Sequence, residues 1–376
     1  MKYLKIFGLF FVFLALSIAV LFYYPESEIK IPELNDITEL GSFIEQVVID
    51  NELPSMTVAL LDSTGIQQFS VFGVRKKGGN SLVTKSDKYH LGSNTKAMTS
   101  VLAGMIIDDG LLNWETRIID VFPEFSDRIH TDYHDVTIQE LLTHTSGIQA
   151  NYNQWERFFE LEISQRRLKI IEESLKDLVA KKKGQYLYSN LGYIVAGTML
   201  ERITSKSWET LMKERLFVPL KMKSAGFGVP GTTGKEDQPW GHIKVSGLLD
   251  FIALQEDNPE ALGPAGTVNC SIEDWGKFIS FQLMSGDTSQ LSNKQRNNLI
   301  TPIKNNYACG WSVVKTSWTD ELVYTHAGSN TMNFAQCWII PKKNKGILIT
   351  SNAYSKNLRS LFKGVRNAIL EVYTLN

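Results

Sequence analysis

Apolar residues recur along this chain with two different periods, and the changes of period divide it. From Ile37 to Ile49 they fall three and four apart, the spacing of one helix face. Met56 to Leu61 and Gln67 to Val74 predict two strands, joined by a hairpin at Ser63-Thr64-Gly65. From Ser93 to Asp108 the pattern is helical again, with Val101, Leu102, Met105 and Ile106 on one side and Gly110 just past the end. Between about Asn113 and Pro259 the apolar runs predict helices separated by loops, Thr137 to His144 and Leu191 to Ile203 among them. Ser271 to Met284 predicts a further helix, opened by a capping-box-like pair of Ser271 and Asp274.

The last quarter changes character. Tyr307 to Val314, Leu322 to Gly328, Asn333 to Ile340 and Gly346 to Thr350 are β-rich runs separated by turn clusters such as Pro341 to Lys345. A helix over about Asn357 to Tyr373 closes the chain. Connections this short favour antiparallel neighbours. The expectation is an α/β (α+β) fold: one antiparallel sheet built from the N- and C-terminal parts, flanked by helices, with a mostly helical lobe inserted. Residues 36–112 and 260–376 would form the sheet lobe and about 113–259 the helical lobe, with a ligand cleft between them.

The first 24 residues stand apart. Lys2 and Lys5 precede an uncharged run from Ile6 to Tyr24, which Pro25, Glu26 and Glu28 end. The run falls within the ~17–25 residues that span a bilayer. It reads as a secretory signal peptide or an uncleaved anchor. A small-x-small site near Ser17 and Ala19 would leave five apolar and aromatic residues on the mature end, which favours the anchor. Residues 25–35 then form a linker, and the body is expected on the extracytoplasmic side, periplasmic or at the cell surface.

Composition mainly excludes. A net charge of −1 gives no reason to expect a nucleic-acid partner. Three cysteines, Cys270, Cys309 and Cys337, without CxxC spacing make neither a zinc cluster nor a disulfide framework, and read as buried small apolar residues. His130 and His134 lie four apart but lack the HExxH context of a zinc site. No metal or cofactor is expected.

Candidate chemistry centres on Ser-x-x-Lys, which occurs at Ser27, Ser93, Ser312 and Ser360. Ser27 adjoins the apolar N-terminal run, Ser312 lies on a predicted strand, and Ser360 lies inside the last helix. Ser93 alone opens a long apolar helix. There Lys96 lies one turn on from Ser93, and the helix N-terminus favours a developing negative charge. Burial would lower the lysine pKa toward that of a useful base. Tyr188-Ser189-Asn190 precedes another apolar helix, and a tyrosine and an amide two apart project the same way from an extended turn. His326-Ala327-Gly328 ends a predicted strand.

In this order and at these distances, the three segments resemble the motifs of serine β-lactamases and penicillin-binding enzymes. The resemblance is to the branch of class C β-lactamases, D-Ala-D-Ala carboxypeptidases and related esterases. Leu141-Leu142-Thr143-His144-Thr145-Ser146-Gly147, Gly263-Pro264-Ala265-Gly266-Thr267 and Gly310-Trp311 support it, and the likeness runs from about Leu40 to Val372. It implies that Ser93 forms an acyl-enzyme, with Lys96 and Tyr188 sharing proton transfer and either one the base. Asn190 would hold the substrate amide or Lys96, and His326 would orient substrate or stabilise charge. The N–H groups of Ser93 and of Ser329, which follows Gly328, would form the oxyanion hole.

One position departs from the β-lactamase pattern. His326-Ala327-Gly328 stands where those enzymes carry a lysine and a hydroxyl, which leans away from β-lactam hydrolysis and toward peptidase or esterase chemistry. The expected activity is that of a serine hydrolase on a small ester, peptide or amide, of the D-Ala-D-Ala carboxypeptidase, esterase or weak β-lactamase type. Its partner would be a small-molecule or peptide substrate, cell-wall fragments among the candidates. The alternative is a membrane-anchored penicillin- or peptidoglycan-binding protein, or a sensor, with little turnover. The oligomeric state stays open.

Overall fold

The computed structural model describes residues 28–155, 157–244 and 250–373. The N-terminal run lies outside them, and among the described residues no helix is long and apolar enough to cross a membrane. Eleven strands lie within the described residues: β1 (Ser55–Asp62), β2 (Gly65–Gly73), β3 (Lys88–His90), β4 (Gly226–Phe227), β5 (Gly241–Ile243), β6 (Ile252–Leu254), β7 (Val268–Ser271), β8 (Ser312–Thr316), β9 (Thr319–Ser329), β10 (Phe334–Ile340) and β11 (Lys345–Ser351).

Six of them form the main sheet in the order β2-β1-β11-β10-β9-β8, every pair antiparallel. The strands come from the two ends of the described chain, as the turn-separated apolar runs predict. Their side chains alternate between two cores. Met56, Val58 and Leu60 of β1, with Ile347 and Ile349 of β11, pack under the helices Leu40–Asp50 and Leu358–Val372. Ala59, Leu61 and Leu348 point to the larger core, which holds the helices Thr95–Asp108 and Ile272–Leu283. Helices thus cover both faces, and β1 is buried along nearly its whole length.

The middle of the chain is less purely helical than its pattern predicts. Helices Ile163–Ser174 and Asn190–Thr204 are present, but so are β4, β5 and β6. β4 pairs with β7 in a small sheet, β3-β7-β4, and β5 pairs with β6. Strands of two or three residues complete barely one alternation, so a periodicity reading passes over them. Ser271 caps its helix as expected, its Oγ accepting the Asp274 backbone N–H at 3.3 Å. The three cysteines are buried free thiols.

Candidate active site

Ser93 does not open the α-helix directly. It sits in a tight 3-10 turn, Gly92–Asn94, and the α-helix begins at Thr95. Asn94 pins this turn by donating from Nδ2 to the Leu91 carbonyl at 2.9 Å and to the Ala335 carbonyl of β10 at 3.1 Å. Gly92 has φ +51°, and a Cβ there would stand 2.2 Å from the Ser329 nitrogen. A Cβ on Gly328 would stand 2.0 Å from the Leu91 oxygen and 2.6 Å from the Ser93 nitrogen. Only glycine at both positions lets the end of β9 lie flat against the serine turn. That approach brings the backbone nitrogens of Ser93 and Ser329 to one spot.

Lys96 is fully buried. Its Nζ lies 3.2 Å from Ser93 Oγ, 2.7 Å from Asn190 Oδ1 and 2.8 Å from the Ala265 carbonyl. The last two atoms can only accept. A neutral amine therefore spends both hydrogens on them and turns its lone pair toward the serine hydroxyl. Burial drives the Lys96 pKa well below the ordinary lysine value. Among the described residues no carboxylate contacts the amine to oppose this.

Tyr188 and Asn190 reach the site because the Thr143–Ala150 segment grips their backbone. The Leu187 N–H donates to the His144 carbonyl at 2.8 Å, and the Asn190 N–H to the Ala150 carbonyl at 2.8 Å. The Ser189 N–H donates to His144 Nδ1 at 3.0 Å. Ser189, rather than Asn190, caps the Asn190–Thr204 helix, its Oγ accepting the Gly192 N–H at 2.8 Å. Asn190 is thereby freed to hold Lys96 while its Nδ2 donates to Asn151 Oδ1 at 2.8 Å. Burial raises the pKa of the Tyr188 hydroxyl far above the ordinary phenol value, and the Ser93 side chain opposes this only in part. The hydroxyl keeps its proton at neutral pH.

His326 lies on β9 opposite Cys337, with its ring 6.4 Å from that of Tyr188. Its Nδ1 donates to the Ala327 carbonyl at 2.9 Å, which leaves Nε2 to accept from the Tyr307 hydroxyl at 3.1 Å. Burial first, and the neighbouring Lys96 second, press its pKa down to about 3. With its pKa pressed this low, the imidazole carries no fixed positive charge at physiological pH.

All seven residues expected at the site are brought together here: Ser93, Lys96, Tyr188, Asn190, His326, Gly328 and Ser329. Sequence reasoning passed over two others. Tyr307 is a lone tyrosine three residues before Gly310-Trp311, and its hydroxyl meets His326 Nε2 at 3.1 Å. His144, named in the sequence only as part of the Leu141–Gly147 segment, is buried with φ +61°, its ring tilted against those of Tyr188 at 4.3 Å and Tyr307 at 4.7 Å. Its place in the Leu141–Gly147 segment was the available signal. Trp311 is buried packing, and Trp240 lies under the Lys76 amine. Among the described residues no cluster of three metal-ligating side chains occurs.

Comparisons with known proteins bear on the family and the fold. The chain is 24% identical over 340 residues to Protein flp of Staphylococcus aureus (strain MW2), covering 88% of this chain and 66% of that protein. It therefore spans just under two thirds of that relative's length. Its fold is similar to that of the octameric penicillin-binding protein homologue from Pyrococcus abyssi (TM-score 0.69, 21% identity, 90% of this chain and 80% of that one). It is also similar to the D-amino acid amidase from Ochrobactrum anthropi SV3 (TM-score 0.70, 18% identity, 87% and 96%). The family model described as Beta-lactamase matches residues 40–368, nearly all of the described body, so the chain belongs to the Beta-lactamase family.

Proposed function

We propose that the chain hydrolyses a small amide, ester or peptide through an acyl-enzyme on Ser93, with the Lys96 amine as the general base. The Ser93 proton passes to Lys96 Nζ as Oγ bonds to the carbonyl carbon. The resulting oxyanion is met by the N–H groups of Ser93 and Ser329. The leaving group departs with a proton from the Tyr188 hydroxyl, which Lys96 replenishes. Water then attacks the ester, returning its proton along the same path and restoring Ser93. Asn190 aims the amine and meets the substrate amide, and Gly328 lets β9 approach the serine.

One observation carries this reading: a buried amine whose two hydrogens are both spent on carbonyl-type oxygens and whose third direction faces Ser93 Oγ. The neutral His326 refines the substrate. With no fixed positive charge at that position, a free terminal carboxylate has little to attract it there. The reading therefore leans to amides and esters over β-lactams and D-Ala-D-Ala carboxypeptidase substrates. The similar amidase from Ochrobactrum anthropi, whose structure holds L-phenylalanine amide, supports the amide class.

We further propose that residues 36–376 act as one catalytic unit on the outer side of the cytoplasmic membrane, tethered by the N-terminal apolar run. The test uses the full chain, purified with detergent throughout. It is treated with a fluorophosphonate, a labelled penicillin, p-nitrophenyl esters, alanine p-nitroanilides and a D-Ala-D-Ala peptide, beside Ser93→Ala. Turnover lost in Ser93→Ala supports the hydrolase. Labelling of Ser93 without turnover of any substrate points instead to a penicillin-binding or sensor protein.

A further inference from the structure

The Gly92 N–H, in the residue directly before Ser93, is held by a side chain: it donates to His90 Nδ1 at 3.1 Å. His90 is the last residue of β3 and has no exposed surface. A ring nitrogen that accepts a hydrogen bond carries no proton, so the ring proton resides on Nε2. Nε2 lies 2.7 Å from Asp257 Oδ1, with its N–H tilted off the line of the contact. One imidazole is thus set between the serine turn and a carboxylate.

The carboxylate leads on to the other half of the proposed oxyanion hole. Asp257 Oδ1 also accepts from Asn330 Nδ2 at 3.3 Å, and Asn330 directly follows Ser329. Asn330 Oδ1 in turn accepts the Asn333 N–H at 2.9 Å and the Met332 N–H at 3.3 Å, which folds the turn from β9 into β10. A single carboxylate oxygen is therefore shared by the side chain that holds the residue before Ser93 and by the side chain of the residue after Ser329. The next residue braces a third segment: Asn258 Nδ2 donates at 2.8 Å to the Gly266 carbonyl, beside the Ala265 carbonyl that holds Lys96.

Such a link has a mechanical use. Two N–H donors from different segments stabilise an oxyanion only while both stand at hydrogen-bond distance from one point. The close contact of Gly92 and Gly328 limits how near the two segments come, but repulsion does not stop them from sliding or parting. An attraction is needed to fix their relative position. Hydrogen bonds to a charged acceptor are stronger than those between neutral groups, and a carboxylate oxygen can take several donors at once. The buried Asp257, with only 8% of its side chain exposed, meets both needs.

We propose that His90 is a positioning residue for the oxyanion hole, tying the serine turn through Asp257 and Asn330 to the segment that carries the Ser329 N–H. This rests on the serine hydrolase reading and adds the device that sets its geometry. The full chain in detergent is compared with His90→Leu, which removes both ring nitrogens. It is also compared with His90→Asn, whose Oδ1 matches Nδ1 in its offset from Cβ and can still accept from Gly92. Fluorophosphonate counts the competent Ser93 in each sample, and rates are expressed per labelled site. With the p-nitrophenyl ester or alanine p-nitroanilide that the wild type turns over fastest, His90→Leu lowers kcat/KM by about ten- to a hundredfold. Phenylboronic acid, whose adduct with Ser93 puts an oxygen in the hole, weakens by a similar factor. His90→Asn recovers part of both losses. Binding of the intact substrate to Ser93→Ala, measured by calorimetry, changes less than about twofold when His90→Leu is added.

Equal kcat/KM per labelled site in His90→Leu and wild type overturns the positioning role and leaves the hydrolase reading standing. A loss of substrate binding as large as the loss of kcat/KM overturns it too, because that marks a general distortion of the cleft. If Ser93 is labelled but hydrolyses nothing, the rate of fluorophosphonate labelling replaces kcat/KM, with the same expected loss and the same overturning equality. A wild type that is neither labelled at Ser93 nor active overturns the hydrolase reading, and this role with it. Should His90→Leu fail to fold, His90→Asn decides: it lacks the Nε2 donor, so a rate per site several-fold below wild type upholds the tie to Asp257, and a wild-type rate sinks it.

Discussion

Lys96 and Arg167 are both cationic side chains with no exposed surface, yet the protein treats them in opposite ways. Arg167 is surrounded by carboxylates: Glu201 at 2.6 Å and Glu209, with the Ala261 carbonyl at 3.2 Å. Burial alone would lower its pKa, but those two acids outweigh it and raise the pKa. Lys96 is given only neutral acceptors, and burial wins. Where counter-charges are supplied the cation is a brace; where they are withheld it loses its charge, as the proposed base must. The two are also mechanically linked. Arg167 grips Ala261 and Lys96 grips Ala265, so one short segment is held from both ends.

The largest effect should come from removing the base. Lys96→Ala is expected to slow acylation of Ser93 by about a thousandfold or more, read as the rate of fluorophosphonate labelling. Its thermal midpoint should fall less than that of Arg167→Met, because the loss leaves a cavity and two neutral acceptors without this donor but no stranded counter-charge. A variant labelled at the wild-type rate would remove Lys96 from the mechanism. A variant that unfolds would erase the distinction between the two cations.

Arg167→Met should show the reverse profile. It strands Glu201 in the core and should cost about 3–5 kcal/mol of stability. In a chain of this size that is roughly 5–10 °C in thermal midpoint. Adding Glu201→Gln should restore part of the loss, since the stranded charge is then removed as well. Equal midpoints for Arg167→Met and wild type would mean that the pair contributes nothing net, and the brace interpretation would be wrong.

How much of this was readable from the chain depends on what carries the information. Ser93, Lys96, Tyr188, Asn190 and His326 were legible because each sits at a fixed offset within a short segment, next to an apolar run that announces its element. β1, β2 and β9 to β11 were legible because β-rich runs of five or more residues between turn clusters leave little choice, whereas β8 begins at Ser312, five residues later than the run from Tyr307 predicts. The partners of Arg167 were not: Glu201 and Glu209 lie 34 and 42 residues away, and a buried arginine looks like a surface one until the helices pack. Tyr307 meets His326 and His144 through contacts that only the folded chain creates. The lowered pKa of His326 was not legible either, because an isolated imidazole gives no hint of its burial.

The contrast can be sharpened with pH. Lys96 must be unprotonated to accept the serine proton, and its pKa is lowered by burial. The kcat/KM should therefore rise with pH along one acid limb and level off well below the ordinary lysine range. His326, at about 3, should add no inflection near pH 6.5. His326→Gln should accordingly leave the position of the limb in place while changing its height. A limb that moves with His326→Gln would hand the titration to the imidazole instead of the amine.

The smallest effect concerns stability in acid, where neutrality by burial again has a signature that ion pairing lacks. His326 is lowered to about 3 and His242 to about 4, each chiefly by burial, and His144 is pushed well below its ordinary value for the same reason. In the unfolded chain all three take up a proton near pH 6.5. Between that pH and their folded values the unfolded state holds more protons, so stability rises with pH across the window. Their contribution is complete above about 6.5 and is lost as pH falls toward 4 and then 3. Urea midpoints measured from pH 7 down to 4 should decline steadily. His326→Gln should flatten the slope by about one proton in that interval, because the glutamine titrates in neither state. Midpoints independent of pH from 7 to 4 would mean that these imidazoles are not held neutral by the fold.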